Sequence, residues 1–120
     1  MGLVHVAARI GKNREELFEV TFLVDAGSFY SAITPRMRDR LQLPTGIPAL
    51  TRLADSRVVE TEVTLAHIQI DGRGAPIPVE IANVPEMLLG VSALEVLGFK
   101  VNPIEQVLEP TRDYPEIPLL

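Results

Sequence analysis

The 120-residue chain has no cysteine, no tryptophan and only two histidines. Without thiols there is no disulfide framework and no thiolate chemistry, a composition compatible with the cytoplasm. His5 and His67 lie far apart without ligand spacing and have no cysteine to join them, so no metal and no other cofactor is expected. Basic residues are also scarce: 11 Lys and Arg stand against 16 Asp and Glu, for a net charge of −5, and aromatics make up 5%. With neither a basic cluster nor an aromatic platform to neutralise phosphates and stack bases, nucleic acid is excluded as a partner. No apolar run approaches the roughly 18 residues that span a bilayer. The opening Met1-Gly2-Leu3-Val4-His5-Val6 fits neither a signal peptide nor a myristoylation site. The expectation is a soluble, cytoplasmic chain without a membrane partner, and at this length, with 47% hydrophobic residues, one compact domain.

What the chain does have is punctuation. Eight glycines and ten prolines separate segments rich in Val, Ile, Leu and Thr with partial alternation, the pattern of a mainly β protein built from hairpins. Leu3 to Ile10 and Leu17 to Val24 read as two strands about a Gly11-Lys12-Asn13 turn. Thr34-Pro35 reads as the start of a short helix with Met37, Leu41 and the aliphatic stem of Arg38 on one face, stopped at Leu43-Pro44. Ala49 to Ile70 divides into two strands joined at Ala54-Asp55-Ser56-Arg57. Asp71-Gly72-Arg73-Gly74 forms a turn and Ile77 to Val84 another strand. Ser92 is the expected cap of a second short helix carrying Leu94 and Leu97 and ended by Gly98. Phe99-Lys100-Val101 and Val107-Leu108 then close the sheet around Asn102-Pro103. Prolines 110, 115 and 118 predict an extended tail, so the domain is drawn over residues 1–109 and the Pro-rich tail over 110–120.

Chemistry concentrates at Phe22-Leu23-Val24-Asp25-Ala26-Gly27-Ser28, where a run of strand formers delivers one carboxylate into a glycine turn. A carboxylate at the end of an apolar strand faces desolvation, a tension that marks functional sites more often than inert ones. Gly27 lets a backbone or a substrate approach it closely. Ser28 and Ser31 have no histidine nearby in sequence, so they read as hydrogen-bonding loop residues rather than nucleophiles. The order strand, glycine, short helix occurs twice, over Val20 to Leu43 and over Val79 to Val101. The second copy, around Leu88-Leu89-Gly90, carries an apolar residue where the first has its acid.

These residues resemble the retropepsin-like aspartic proteases, particularly their small bacterial members. Phe22 to Ser28 matches the family's hydrophobic-hydrophobic-Asp-Thr/Ser-Gly-Ala/Ser box, with Ser31 in the same loop. Leu88-Leu89-Gly90 and Ala93-Leu94-Glu95-Val96-Leu97-Gly98 match the second signature. The resemblance implies a closed β barrel of one lobe per chain and a homodimer in which each chain contributes one catalytic Asp, here Asp25, with Ala26, Gly27 and Ser28 shaping the loop. It implies an extended peptide or protein substrate under a hairpin flap from each chain, here Ala54, Asp55, Ser56 and Arg57. Two carboxyl groups held close together share a proton, so one can activate a water while the other polarises the scissile carbonyl, with activity peaking below neutral pH.

Three positions depart from that pattern. Ala26 stands where the family has Thr or Ser, whose hydroxyl, by the resemblance, reaches across the two-fold axis to brace the partner's loop. Either a natural member with a weakened or silent site or a chain altered to quiet self-cleavage would carry such a change. Phe29 and Val91 stand where viral members carry an acidic residue and an arginine that pair, a replacement of charge by packing that leaves no charge unpaired. The functional expectation is an aspartic endopeptidase. The alternative is a non-catalytic, protease-like module that holds extended peptides or dimerises without cutting.

Overall fold

The computed structural model describes residues 3–53 and 55–115. Nine strands and two short helices follow in the order β1 (His5–Asn13), β2 (Glu16–Val24), β3 (Ser31–Ile33), α1 (Pro35–Leu41), β4 (Ile47–Arg52), β5 (Val58–Ile70), β6 (Arg73–Ile81), β7 (Leu88–Leu89), α2 (Val91–Leu97), β8 (Phe99–Asn102) and β9 (Val107–Pro110). Seven strands form one sheet in the order β1-β2-β7-β3-β6-β5-β4, and β1 also pairs with β5 through Arg9 to Gly11. That extra pairing closes the sheet on itself and removes an open edge. The closed, mainly β architecture expected from the sequence is the one observed. Alternate residues of the strands fill its interior: Ile10, Phe22, Ile33, Ile68, Ile77, Val79 and Leu89 are fully buried, with Leu97 of α2 and Leu41 of α1 packed into the same cluster.

Several local expectations hold for the reasons given. The Thr34 hydroxyl accepts from Met37 N at 3.1 Å and caps α1 above a proline in the first turn. Asp71 and Gly72 both take positive φ, 49° and 77°, the geometry that a two-residue hairpin turn requires. Leu53 N donates to Arg57 O at 2.7 Å and closes the β4–β5 hairpin, with Ser56 at φ 72°. Ala54 lies outside the described residues.

Other boundaries moved. The first turn is at Arg14-Glu15 rather than Gly11-Lys12-Asn13, because Asn13 Oδ1 accepts from both Glu15 N and Glu16 N and so initiates the turn itself. Gly11 stays in β1 beside a register shift, where a Cβ would sit 1.9 Å from the Glu16 carbonyl oxygen. Strand β6 begins at Arg73, four residues earlier than expected, and ends at Ile81, since the tight Asp71-Gly72 turn pairs Arg73 with Ile70 directly. The C-terminal strands do not close the main sheet: β8 and β9 pair only with each other, as a separate ribbon.

The segment after β9 folds back onto the domain. Thr111 N donates to Gly98 O, and Arg112 donates to the carbonyls of Glu95 and Val96 at the end of α2. Arg73 bonds Leu97 O, Gly98 O and Arg112 O while its guanidinium lies over the rings of Phe99 and Tyr114. Tyr114 completes the strap through Gly74.

Candidate active site

The end of β2 is clamped between two distant parts of the chain. Leu23 N donates to Met87 O and Val24 N to Val4 O, and Leu23 and Val24 run parallel to Leu88 and Leu89. Asp25 N then donates to Leu89 O at 2.9 Å. The chain turns there because Gly27 N donates to Asp25 Oδ1 at 3.1 Å and Ser28 N to Asp25 O at 3.1 Å. Asp25 is half-buried and Ala26 and Gly27 are exposed, so the carboxylate stands at the rim of the sheet with a donor fixing one of its oxygens. Alternation places it, two residues on from Leu23, toward the sheet face opposite the packed core.

The loop that follows is moulded by the second signature. Val91 N donates to Ser28 O at 2.7 Å and Ser92 N to Phe29 O at 2.9 Å. The Ser92 hydroxyl also donates to Phe29 O, at 2.6 Å. Ser92 is therefore not the cap of α2. The cap position is Gly90, and Ser92 sits two residues further on in the first turn, spending its hydroxyl on the loop. Gly90 N in turn donates to the fully buried Ser31 Oγ at 2.9 Å, and Ser28 Oγ donates to Tyr30 O. Both serines weighed as nucleophiles thus hold loop hydrogen bonds. The two signatures are brought together as one structural unit, backbone against backbone.

Beyond the loop, Phe29 is 60% exposed and packs edge-on against Tyr30 with ring centroids 5.1 Å apart. Asp55 and Arg57 lie at the described part of the hairpin end, where the Asp55 carboxylate accepts from both the backbone N and the side chain of Arg57. The hairpin's inner face carries a polar chain with no sequence motif: Thr51 Oγ1 donates to Glu80 Oε2 at 2.7 Å and lies 3.1 Å from Thr61 Oγ1. Spacing along the chain gives no sign of it, since it depends on the register of three strands. Arg38 pairs with Glu62, whose other oxygen accepts from Gly46 N, which ties α1 to the base of the hairpin. His5 bonds Glu86 at the surface, and burial together with nearby Arg14 pushes the His67 imidazole below its ordinary pKa. Among the described residues no group of His, Asp and Glu side chains that could hold a metal includes either histidine.

The family model described as "gag-polyprotein putative aspartyl protease" matches residues 14–96. No curated protein sequence matches. Among solved structures, EIAV protease complexed with the inhibitor HBY-793 superposes with a TM-score of 0.64 at 24% identity, covering 84% of this chain and 93% of that one. That likeness is one of fold. With the family model running from the first hairpin turn into the last described helix, over the Asp25 box and most of the second signature, this chain belongs to the retropepsin-like aspartyl proteases of the gag-polyprotein type.

Proposed function

We propose that the protein is an aspartic endopeptidase that acts as a homodimer, with Asp25 as the catalytic residue of each chain. The observation that carries this reading is the presentation of Asp25: a half-buried carboxylate at a strand end, fixed through Gly27 N and backed by the Leu89 carbonyl. Asp25 is the sole aspartate in an Asp-Xaa-Gly sequence, so a second copy of the chain has to supply the other half of a proton-sharing pair. In that pair the ionised carboxylate takes a proton from a water held between the two, and the protonated one hydrogen-bonds the scissile carbonyl. The water oxygen adds to the carbonyl carbon, and return of a proton to the amine releases it. Because the pair forms only between two chains, activity depends on dimer concentration.

Under this reading the β4–β5 hairpin is the flap. Its described end residues, 55–58, are all exposed, and exposed hairpin ends open at low free-energy cost. Amide exchange there is expected to be fast in the free protein and slower with a peptide-like inhibitor bound. Equal protection in the two states would remove the flap role.

The second reading, a peptide-binding module that does not cut, is favoured by one residue. Ala26 is exposed beside Asp25 and has no hydroxyl to offer a partner chain. The test of both is Ala26→Thr. Two restored hydrogen bonds per dimer should tighten association by about 1–4 kcal/mol, read by sedimentation over a concentration series. Cleavage of peptides should rise with the dimer fraction. A variant with unchanged association and no cleavage at any pH between about 4 and 7 would leave the binding module as the function.

A further inference from the structure

The registers of the sheet line up one row of residues across six strands on the face opposite the core. Leu23 pairs with Leu88, Leu88 with Ala32, Ala32 with Glu80, Glu80 with Val63, and Val63 with Ile47. The strand neighbours Phe22, Leu89, Ile33, Val79 and Ile81 all point into the buried cluster, so the row lies on the opposite face, with Ala32 itself buried and the other five residues half-buried or exposed. Alternation places Asp25 on the same face. Five of the six residues are apolar, and the sixth is a half-buried carboxylate. Glu80 Oε2 accepts from Thr51 of the hairpin. Among the described residues no cation pairs with Glu80, and its other oxygen has no hydrogen-bond partner. A half-buried carboxylate with one whole oxygen unengaged by the protein can accept a cationic donor. A groove of about 380 Å³ continues on this face past Val63, lined by Ile47, Leu65 and Pro78, so the row does not end in a wall.

Resting on the endopeptidase reading above, we infer that Glu80 is a specificity-determining residue that selects a lysine or arginine side chain of the substrate. Three strand steps separate β2 from β6, about 14 Å at about 4.8 Å per step. An extended peptide advances about 3.3 Å per residue. With the reach of a long cationic side chain laid along the apolar row, the responsive position lies about two to four residues from the scissile bond. The apolar stem would lie against the half-buried Leu88 and the charged head at Glu80. Thr51 joins the pocket to the hairpin, so the selected side chain is read where the hairpin meets the floor.

The test uses synthetic peptides with a central Leu-Phe pair in which one Lys, or Gln in its place, is moved along the flanks. Cleavage is measured with the full chain, carrying Ala26→Thr where the parent is slow, and binding of the same labelled peptides with the Asp25→Asn chain. Lys is expected to be favoured over Gln about tenfold or more at a flanking position, the difference made by one hydrogen bond to a charged group. Glu80→Gln keeps an acceptor for Thr51 and should lose the preference while retaining turnover of the Gln peptide. Glu80→Lys should move it toward Glu. Peptides cut without any Lys preference, or a preference that survives Glu80→Gln, would overturn the role of Glu80 and leave the peptidase standing. Selective binding without cleavage would do the reverse. Peptides neither bound nor cut would overturn both.

Discussion

Asp25→Asn is expected to reduce peptide cleavage by about a thousandfold or more while leaving the fold and the dimer intact. The loss follows from chemistry: an amide neither takes a proton from water nor shares one with its counterpart across the pair. The preserved fold follows from geometry. Asparagine keeps an oxygen where Asp25 Oδ1 accepts from Gly27 N, and the backbone bonds from Asp25 N to Leu89 O and from Ser28 N to Asp25 O do not involve the changed atoms. Melting temperature and sedimentation should therefore match the parent, and the measurement that decides is turnover per dimer. Where the parent is silent, the comparison is made on the Ala26→Thr chain. Cleavage persisting in pure Asp25→Asn would remove the carboxylate from the mechanism.

Gly90→Ala is expected to be the most damaging single methyl added near the site. The new Cβ would lie 2.4 Å from the Tyr30 carbonyl oxygen and 2.8 Å from that of Phe29, and both obstacles are backbone. The conformation of Gly90, φ −93° and ψ 175°, suits any residue, so the requirement is for space alone. Relief means pushing the 28–31 loop off α2, which breaks bonds from Gly90 N to Ser31 Oγ and from Ser92 to Phe29 O. A cost of about 3 kcal/mol is expected, at the upper end for overpacking, and for a domain of this size a fall in melting temperature of roughly 10 °C. Activity should drop even below that temperature because the displaced loop follows directly on Asp25, whose carbonyl accepts from Ser28 N. Unchanged melting and turnover would mean that the loop is not held as described.

The parts of this molecule legible in the sequence were those whose causes are local. Thr34-Pro35 specifies a helix start through one hydroxyl and one ring, Asp71-Gly72 a tight turn through its backbone freedom, and Phe22 to Ser28 a strand running into a loop. Where two local signals competed, the sequence misled. Gly11 suggested a turn but is a glycine because the Glu16 carbonyl leaves no room for a Cβ, and Ser92 suggested a cap but serves a different segment. The register of the sheet has no local cause. Glu80 sits beside Ala32 and Val63 through pairings that span long stretches of chain, so its place on the Asp25 face emerged only from the fold. The separate β8–β9 ribbon has the same explanation, because strand propensity says that a segment pairs and not with what.

The mutual support of the two signatures also sets an order of events in time. Ser31 and Gly90 are separated by 59 residues, and Phe29 and Ser92 by 63. A contact of that span closes late, after the loop entropy between its ends has been overcome. A nascent chain that has emerged only as far as the β5–β6 hairpin already displays Asp25, yet the mould for its loop has still to be synthesised. The loop that follows Asp25 thus takes its final shape late, once α2 has seated against it.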